Sequence, residues 1–204
     1  MNIPMITSGL CLTLALSGCI SMSNSPTPRF YVLQTVQEGQ VNKKINIASD
    51  ILVGVKPVKV PEYQDRPQIV TQGKNQLLKF AQFDRWGESL ASGTTRLIRE
   101  DLAIILPEAK LISYPWEPSV PVKYQVIVEI VELDSALDKD MFLVAQWQVV
   151  DAQNMKTLII KRSEFRQPIM PQDYAGLVKT LSTVCASLSG EIAQALAGLE
   201  TPHT

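Results

Sequence analysis

One tetrapeptide, Leu16-Ser17-Gly18-Cys19, sets a thiol behind small residues at the end of an apolar run. Small residues admit a signal peptidase, and a thiol so placed can accept diacylglycerol through a thioether, the arrangement of a bacterial lipobox. The run before it carries Ile3, Ile6, Leu10, Leu12, Leu14 and Leu16 and no charged side chain. It is shorter than the about 20 residues that a helical span needs, and it ends in small residues rather than a basic stop-transfer flank. The pattern predicts a cleaved signal over residues 1–18, lipidation of Cys19, and a polar, proline-punctuated tether over 19–29. With two or three acyl chains, each buried methylene contributing about 0.8 kcal/mol, the anchor holds without help from a protein patch. Ile20 stands where an Asp would favour retention in the inner membrane, which points to the outer membrane with the folded part facing the periplasm.

The rest of the chain offers little for catalysis. His203 is the only histidine and lies in a polar tail, so neither a Ser-His-Asp nor a Cys-His arrangement can be assembled on it. Of three cysteines, Cys11 leaves with the signal, Cys19 is acylated, and Cys185 falls on the apolar face of a helical segment, where a buried structural thiol is expected. No zinc ligand set or glycine-rich phosphate loop is present. Glu62 with Asp65, and Asp84 with Glu88, pair carboxylates, but the first pair flanks a turn after Pro61 and the second sits where a helix dipole would favour negative charge. No catalytic residue and no metal ligand are assigned, the reading is of a non-enzyme, and the only cofactor expected is the covalent lipid on Cys19. A net charge of −1 without a basic, aromatic-laced patch argues against nucleic acid as partner.

Residues 30–200 read as one domain. Val53, Val55, Val58 and Val60 form a strand whose alternation slips at Pro57, and Gln68–Thr71 and Gln76–Phe80 form two more around the turn residues Gln72-Gly73-Lys74-Asn75. Helical spacing of Leu90, Thr94, Leu97 and Ile105 predicts a helix over Glu88–Leu106, closed by Pro107. A short strand over Lys110–Ser113 precedes three long ones, Lys123–Leu133, Met141–Asp151 and Thr157–Phe165, joined by short polar turns as in an antiparallel meander. From Asp173 to Leu199 a stripe through Val178, Leu181, Cys185, Leu188 and Ile192 predicts a long helix that must cover a sheet. The fold class expected is α+β: a mainly antiparallel sheet with two helices packed on one face.

Two stretches are more specific. The first is the run Val53-Gly54-Val55-Lys56-Pro57-Val58-Lys59-Val60-Pro61-Glu62-Tyr63-Gln64-Asp65-Arg66-Pro67-Gln68-Ile69-Val70. The second is Asn75-Gln76-Leu77, followed by Phe83-Asp84-Arg85-Trp86-Gly87-Glu88-Ser89-Leu90. With the lipobox, the Phe30-Tyr31-Val32-Leu33 start and the closing Tyr174 helix, they resemble the ABC-type transport auxiliary lipoproteins, the PqiC-like family. The resemblance implies a partner with an MCE (mammalian cell entry) domain, in an assembly that moves lipid between the inner and outer membranes.

Tyr63, Asp65, Arg66, Asp84, Arg85 and Trp86 combine aromatic and charged groups of the kind enriched at protein contacts, and are the candidate partner-binding residues. The alternative is that Tyr63 and Trp86 anchor the core while the charged four form local ion pairs. Three functional readings stay open: a docking and assembly subunit, alone or as a homo-oligomeric collar; a carrier domain holding an acyl chain between sheet and helices; and a hydrolase, against which the missing histidine and metal ligands count.

Overall fold

Three consecutive strands with period-two alternation make the centre of the molecule. They are seen in a computed structural model of the chain that describes residues 26–35 and 44–200. The signal segment, the lipobox with Cys19, and His203 lie outside the described residues. In chain order the elements are β1 (Arg29–Tyr31), β2 (Leu52–Val55), β3 (Gln68–Gln72), β4 (Leu78–Trp86), α1 (Leu90–Ile105), β5 (Lys110–Ser113), β6 (Tyr124–Ser135), β7 (Asp140–Asp151), β8 (Lys156–Pro168) and α2 (Tyr174–Glu200).

β6, β7 and β8 pair antiparallel, as the alternation predicts. On β6 the inward residues are Tyr124, Val126, Val128 and Ile130, then Leu133 and Ser135. The phase changes because the β6–β7 register shifts between Ile130 and Glu132, and the extra residue, Val131, turns outward. β2 adds to β6 in parallel and β5 to β2 in parallel, giving a five-stranded sheet in the order β5-β2-β6-β7-β8 with β8 on one edge. A second sheet, β1-β4-β3, has three strands, with β1 parallel and β3 antiparallel to β4. The α+β class holds, with the strands divided between two mixed sheets.

Both helices lie against the five-stranded sheet, α1 beside β2 and β5, α2 beside β7 and β8, and they pack on each other. The layer between is filled: Met141, Leu143, Trp147, Leu181, Val184 and Leu188 are all fully buried within one apolar cluster. Capping sets the helix starts. Ser89 Oγ accepts from Ser92 N at 3.1 Å at the head of α1, and Asp173 Oδ1 accepts from Gly176 N at 2.7 Å at the head of α2.

Two expectations are corrected. Asp84 does not stand at the start of α1 but within β4, which continues through Trp86, so its charge serves a side-chain pair and not a helix dipole. Gln76 is not in a strand: Lys74–Gln76 form a short 3₁₀ turn in which Asn75 and Gln76 take the left-handed region at φ 58° and 61°, and β4 begins at Leu78.

Candidate functional site

The six residues singled out from sequence separate into an inward and an outward set. Backbone bonds from Gln64 and Asp65 to Pro61 O fold residues 61–67 into a turn, and Gln64 Nε2 pins it to β6 by donating to Leu133 O at 2.8 Å. The turn exposes Asp65 and Arg66. Asp65 accepts from Ala91 N in the first turn of α1, and the Arg66 guanidinium lies 4.6 Å from the centre of the exposed Phe80 ring. Tyr63 is half-buried; burial first, then the neighbouring charges of Asp134 and Glu132, push its pKa up. Trp86 N donates to Pro67 O at 2.8 Å, so the turn and the end of β4 are neighbours. Asp84 and Trp86 nevertheless face inward, and Arg85, opposite Gln68 in the β3–β4 ladder, is half-buried.

Asp84 takes part in a constellation that sequence reasoning missed. Arg29, at the head of β1, donates to it twice, Nε to Oδ1 at 2.8 Å and Nη2 to Oδ2 at 2.9 Å. The hydroxyl of Tyr31 donates to Oδ1 at 2.9 Å. A two-pronged guanidinium–carboxylate pair has a fixed geometry as well as a charge. Burial and then the bond to Asp84 raise the Tyr31 pKa, and the same carboxylate raises that of Arg29. Further along, Gly87 N donates to Tyr31 O at 2.7 Å, Arg96 Nη2 to Leu33 O at 2.9 Å, and Gln34 N to Ser182 Oγ at 3.2 Å. Arg96 is itself held by Glu88 and Glu100. The segment that emerges from the predicted tether is thus stitched residue by residue to β4, α1 and α2. The available signal was the Arg29-Phe30-Tyr31 triplet, whose charged partner lies 55 residues away.

At the other end of α2, Glu200 accepts from Lys123 Nζ at 2.6 Å and from the Tyr124 hydroxyl. Burial favours the neutral Glu200 carboxyl, but the bonds from Lys123 and Tyr124 outweigh it and leave its pKa below the ordinary value. On the sheet edge, Lys56 Nζ sits 3.9 Å from the ring centre of Tyr114 and 5.3 Å from that of Trp116. Trp116 lies so close on β2 that a Cβ at Gly54 would stand 2.5 Å from its ring, which explains a glycine in that apolar strand. Cys185 is fully buried and its thiol pKa is pushed up to about 12 by burial and then by the charge of Asp101, as befits an inert structural thiol. Among the described residues no group of three His, Cys, Asp or Glu side chains could hold a metal ion, and no helix is long and apolar enough to cross a membrane.

Comparison with known proteins decides the family. The family model of the ABC-type transport auxiliary lipoprotein component matches residues 31–193, which run from the Asp84-bound Tyr31 into the last turns of α2. The chain belongs to that family. Its fold is shared with an uncharacterised protein of known crystal structure, 18% identical, with TM-score 0.69 over 84% of this chain and 99% of the other. It is shared also with a Xanthomonas campestris protein of family DUF330, 7% identical, with TM-score 0.64 over 84% and 95%. No curated protein matches the chain significantly. The transport auxiliary lipoproteins are a family of auxiliary components rather than a known family of enzymes, and the site described here, clamps and a presented turn, suits such a component.

Proposed function

We propose that this transport auxiliary lipoprotein is tethered by lipid on Cys19 to the outer membrane, faces the periplasm, and serves as a non-catalytic docking and assembly subunit of an MCE-type intermembrane lipid transport system. The observation that carries docking over lipid carriage is the filled layer between sheet and helices, where fully buried Trp147, Leu143, Leu181 and Leu188 occupy the space an acyl chain would need. The turn over residues 61–67 is the partner-facing feature, with exposed Asp65 and Arg66 presented beside Phe80 and with Trp86 holding it from behind through its bond to Pro67, while Asp84 and Arg85 belong to the strand beneath.

An affinity pull-down of the native protein from its own envelope, with the intact mass of its amino-terminal peptide read in the same sample, tests this. The expected result is an acylated Cys19 and recovery of an MCE-domain protein, with recovery reduced in an Arg66→Glu variant. Acylated Cys19 without any MCE-domain protein under gentle crosslinking would sink the partner assignment. Stoichiometric copurifying lipid would favour the carrier reading instead.

A further inference from the structure

The anchored end of the molecule carries exposed apolar groups that the core does not use. Phe30 is 67% exposed, Met170 is 65% exposed, and Val32 is also exposed. Phe30 and Val32 flank Tyr31 on β1 and line a cleft of about 490 Å³ against the first turns of α2. Met170 lines an adjoining cleft, and Lys179 and Thr183 line both, so the three apolar side chains surround one lysine. Among the described residues no carboxylate lines either cleft, and Lys179 is the only charged one that does. Two carboxylates on neighbouring elements are engaged elsewhere: Asp84 is occupied by Arg29 and Tyr31, and Asp173 caps α2.

The tether selects what can cover this patch. Nine residues lie between Cys19 and Arg29, and the ten Cα–Cα steps give a full reach of about 35 Å. A domain of this size has a radius of gyration of about 16 Å and is therefore about 40 Å across. α2 alone, with 27 residues, spans about 40 Å from the patch at its head to Glu200 and nearby Tyr124 at its tail. A lipid on Cys19 thus keeps the head of α2 within reach of the bilayer, without by itself setting where the tail points.

We infer that the patch of Phe30, Val32 and Met170 around Lys179 rests on the lipid bilayer itself, the apolar side chains entering the headgroup layer and Lys179 meeting lipid phosphate. This rests on the anchoring at Cys19 proposed above. It gives the domain a fixed orientation on the membrane that a tether of this length alone would not supply.

The test is spin-label accessibility on the acylated full-length mature protein in vesicles of phosphatidylethanolamine and phosphatidylglycerol. Phe30→Cys and Met170→Cys carry nitroxides on the patch. Met155→Cys, exposed near the tail of α2, is the control, and buried Cys185 stays unlabelled. The expected result is that, on moving from detergent to vesicles, the ratio of oxygen to nickel-chelate accessibility rises several-fold at positions 30 and 170 and is unchanged at 155. Labels at 30 and 170 that remain as aqueous as 155 on vesicle-bound, acylated protein overturn the inference alone. Labels shielded from both oxygen and nickel overturn it too, because they report a protein contact. An unacylated Cys19 with protein free of vesicles overturns the anchoring reading as well, and the amino-terminal peptide mass separates that case from the others.

Discussion

The five-stranded sheet and the short strand β1 are held by different forces. Across the five-stranded sheet the inward residues of β6 and β7 meet α2 through Val126, Trp147, Leu181 and Leu188, and cohesion comes from apolar area removed from water. β1, in the three-stranded sheet, has three residues, two of them exposed, and cannot be fixed that way. It is fixed by polar ties: Arg29 and Tyr31 on Asp84, Gly87 on Tyr31, and Arg96 on Leu33. A region bound by area resists local opening, whereas one bound by a few hydrogen bonds can detach alone while the rest stays folded.

Leu188→Ala should set the upper limit of this contrast. It opens a cavity where α2 meets the core and should cost about 3 kcal/mol, read as a lower denaturant midpoint with every probe moving together. Gly176→Ala probes the start of the same helix. Its new Cβ would stand 1.8 Å from Pro171 O, and backbone must shift at about 2 kcal/mol, again lowering the global midpoint.

Asp84→Asn tests the polar side of the comparison. It weakens the charged bonds to Arg29 and Tyr31 at about 1–2 kcal/mol, and hydrogen exchange should rise in residues 29–34 while β7 keeps its protection. Uniform loss of protection would show that the two regions unfold as one and would end the distinction.

Glu200→Gln should cost about 1 kcal/mol at neutral pH. Because the folded pKa of Glu200 lies below its unfolded value, its contribution is present above the unfolded pKa and lost as pH falls through the folded one. Wild type and variant should therefore converge on acidification. Glu132 runs the other way. Burial, then the neighbouring Asp134, raises its folded pKa, so its relative contribution is present below the unfolded pKa and lost as pH rises through the folded one. Glu132→Gln should stabilise slightly at neutral pH, by about 0.5 kcal/mol or less, an advantage that fades in acid.

What could be read from sequence was what depends on periodicity. The β5 segment, the meander and the α2 stripe follow from spacing alone, and Lys110–Ser113 is a strand in both readings. What could not be read depends on contacts between distant residues. The parallel pairing of β1 with β4 rests on Arg29 finding Asp84, and the resulting burial of Asp84 is invisible to a rule that expects an acidic residue near Trp86 and Ser89 to introduce a helix. Of the candidate partner residues, the turn that presents Asp65 and Arg66 was legible from Pro61 and Pro67, whereas the inward direction of Trp86 depended on how far β4 runs.

The position of β8 bears on how the protein behaves at high concentration. It is the outermost strand of its sheet and runs for 13 residues, an unpaired row of peptide groups that a neighbouring chain could extend into a fibril. Lys156, Lys161, Arg162, Glu164 and Arg166 punctuate that row, so a second β8 laid against it in register would bring like charges together. The exposed charges of this strand act as gatekeepers that keep a long open edge colloidally stable in a crowded compartment.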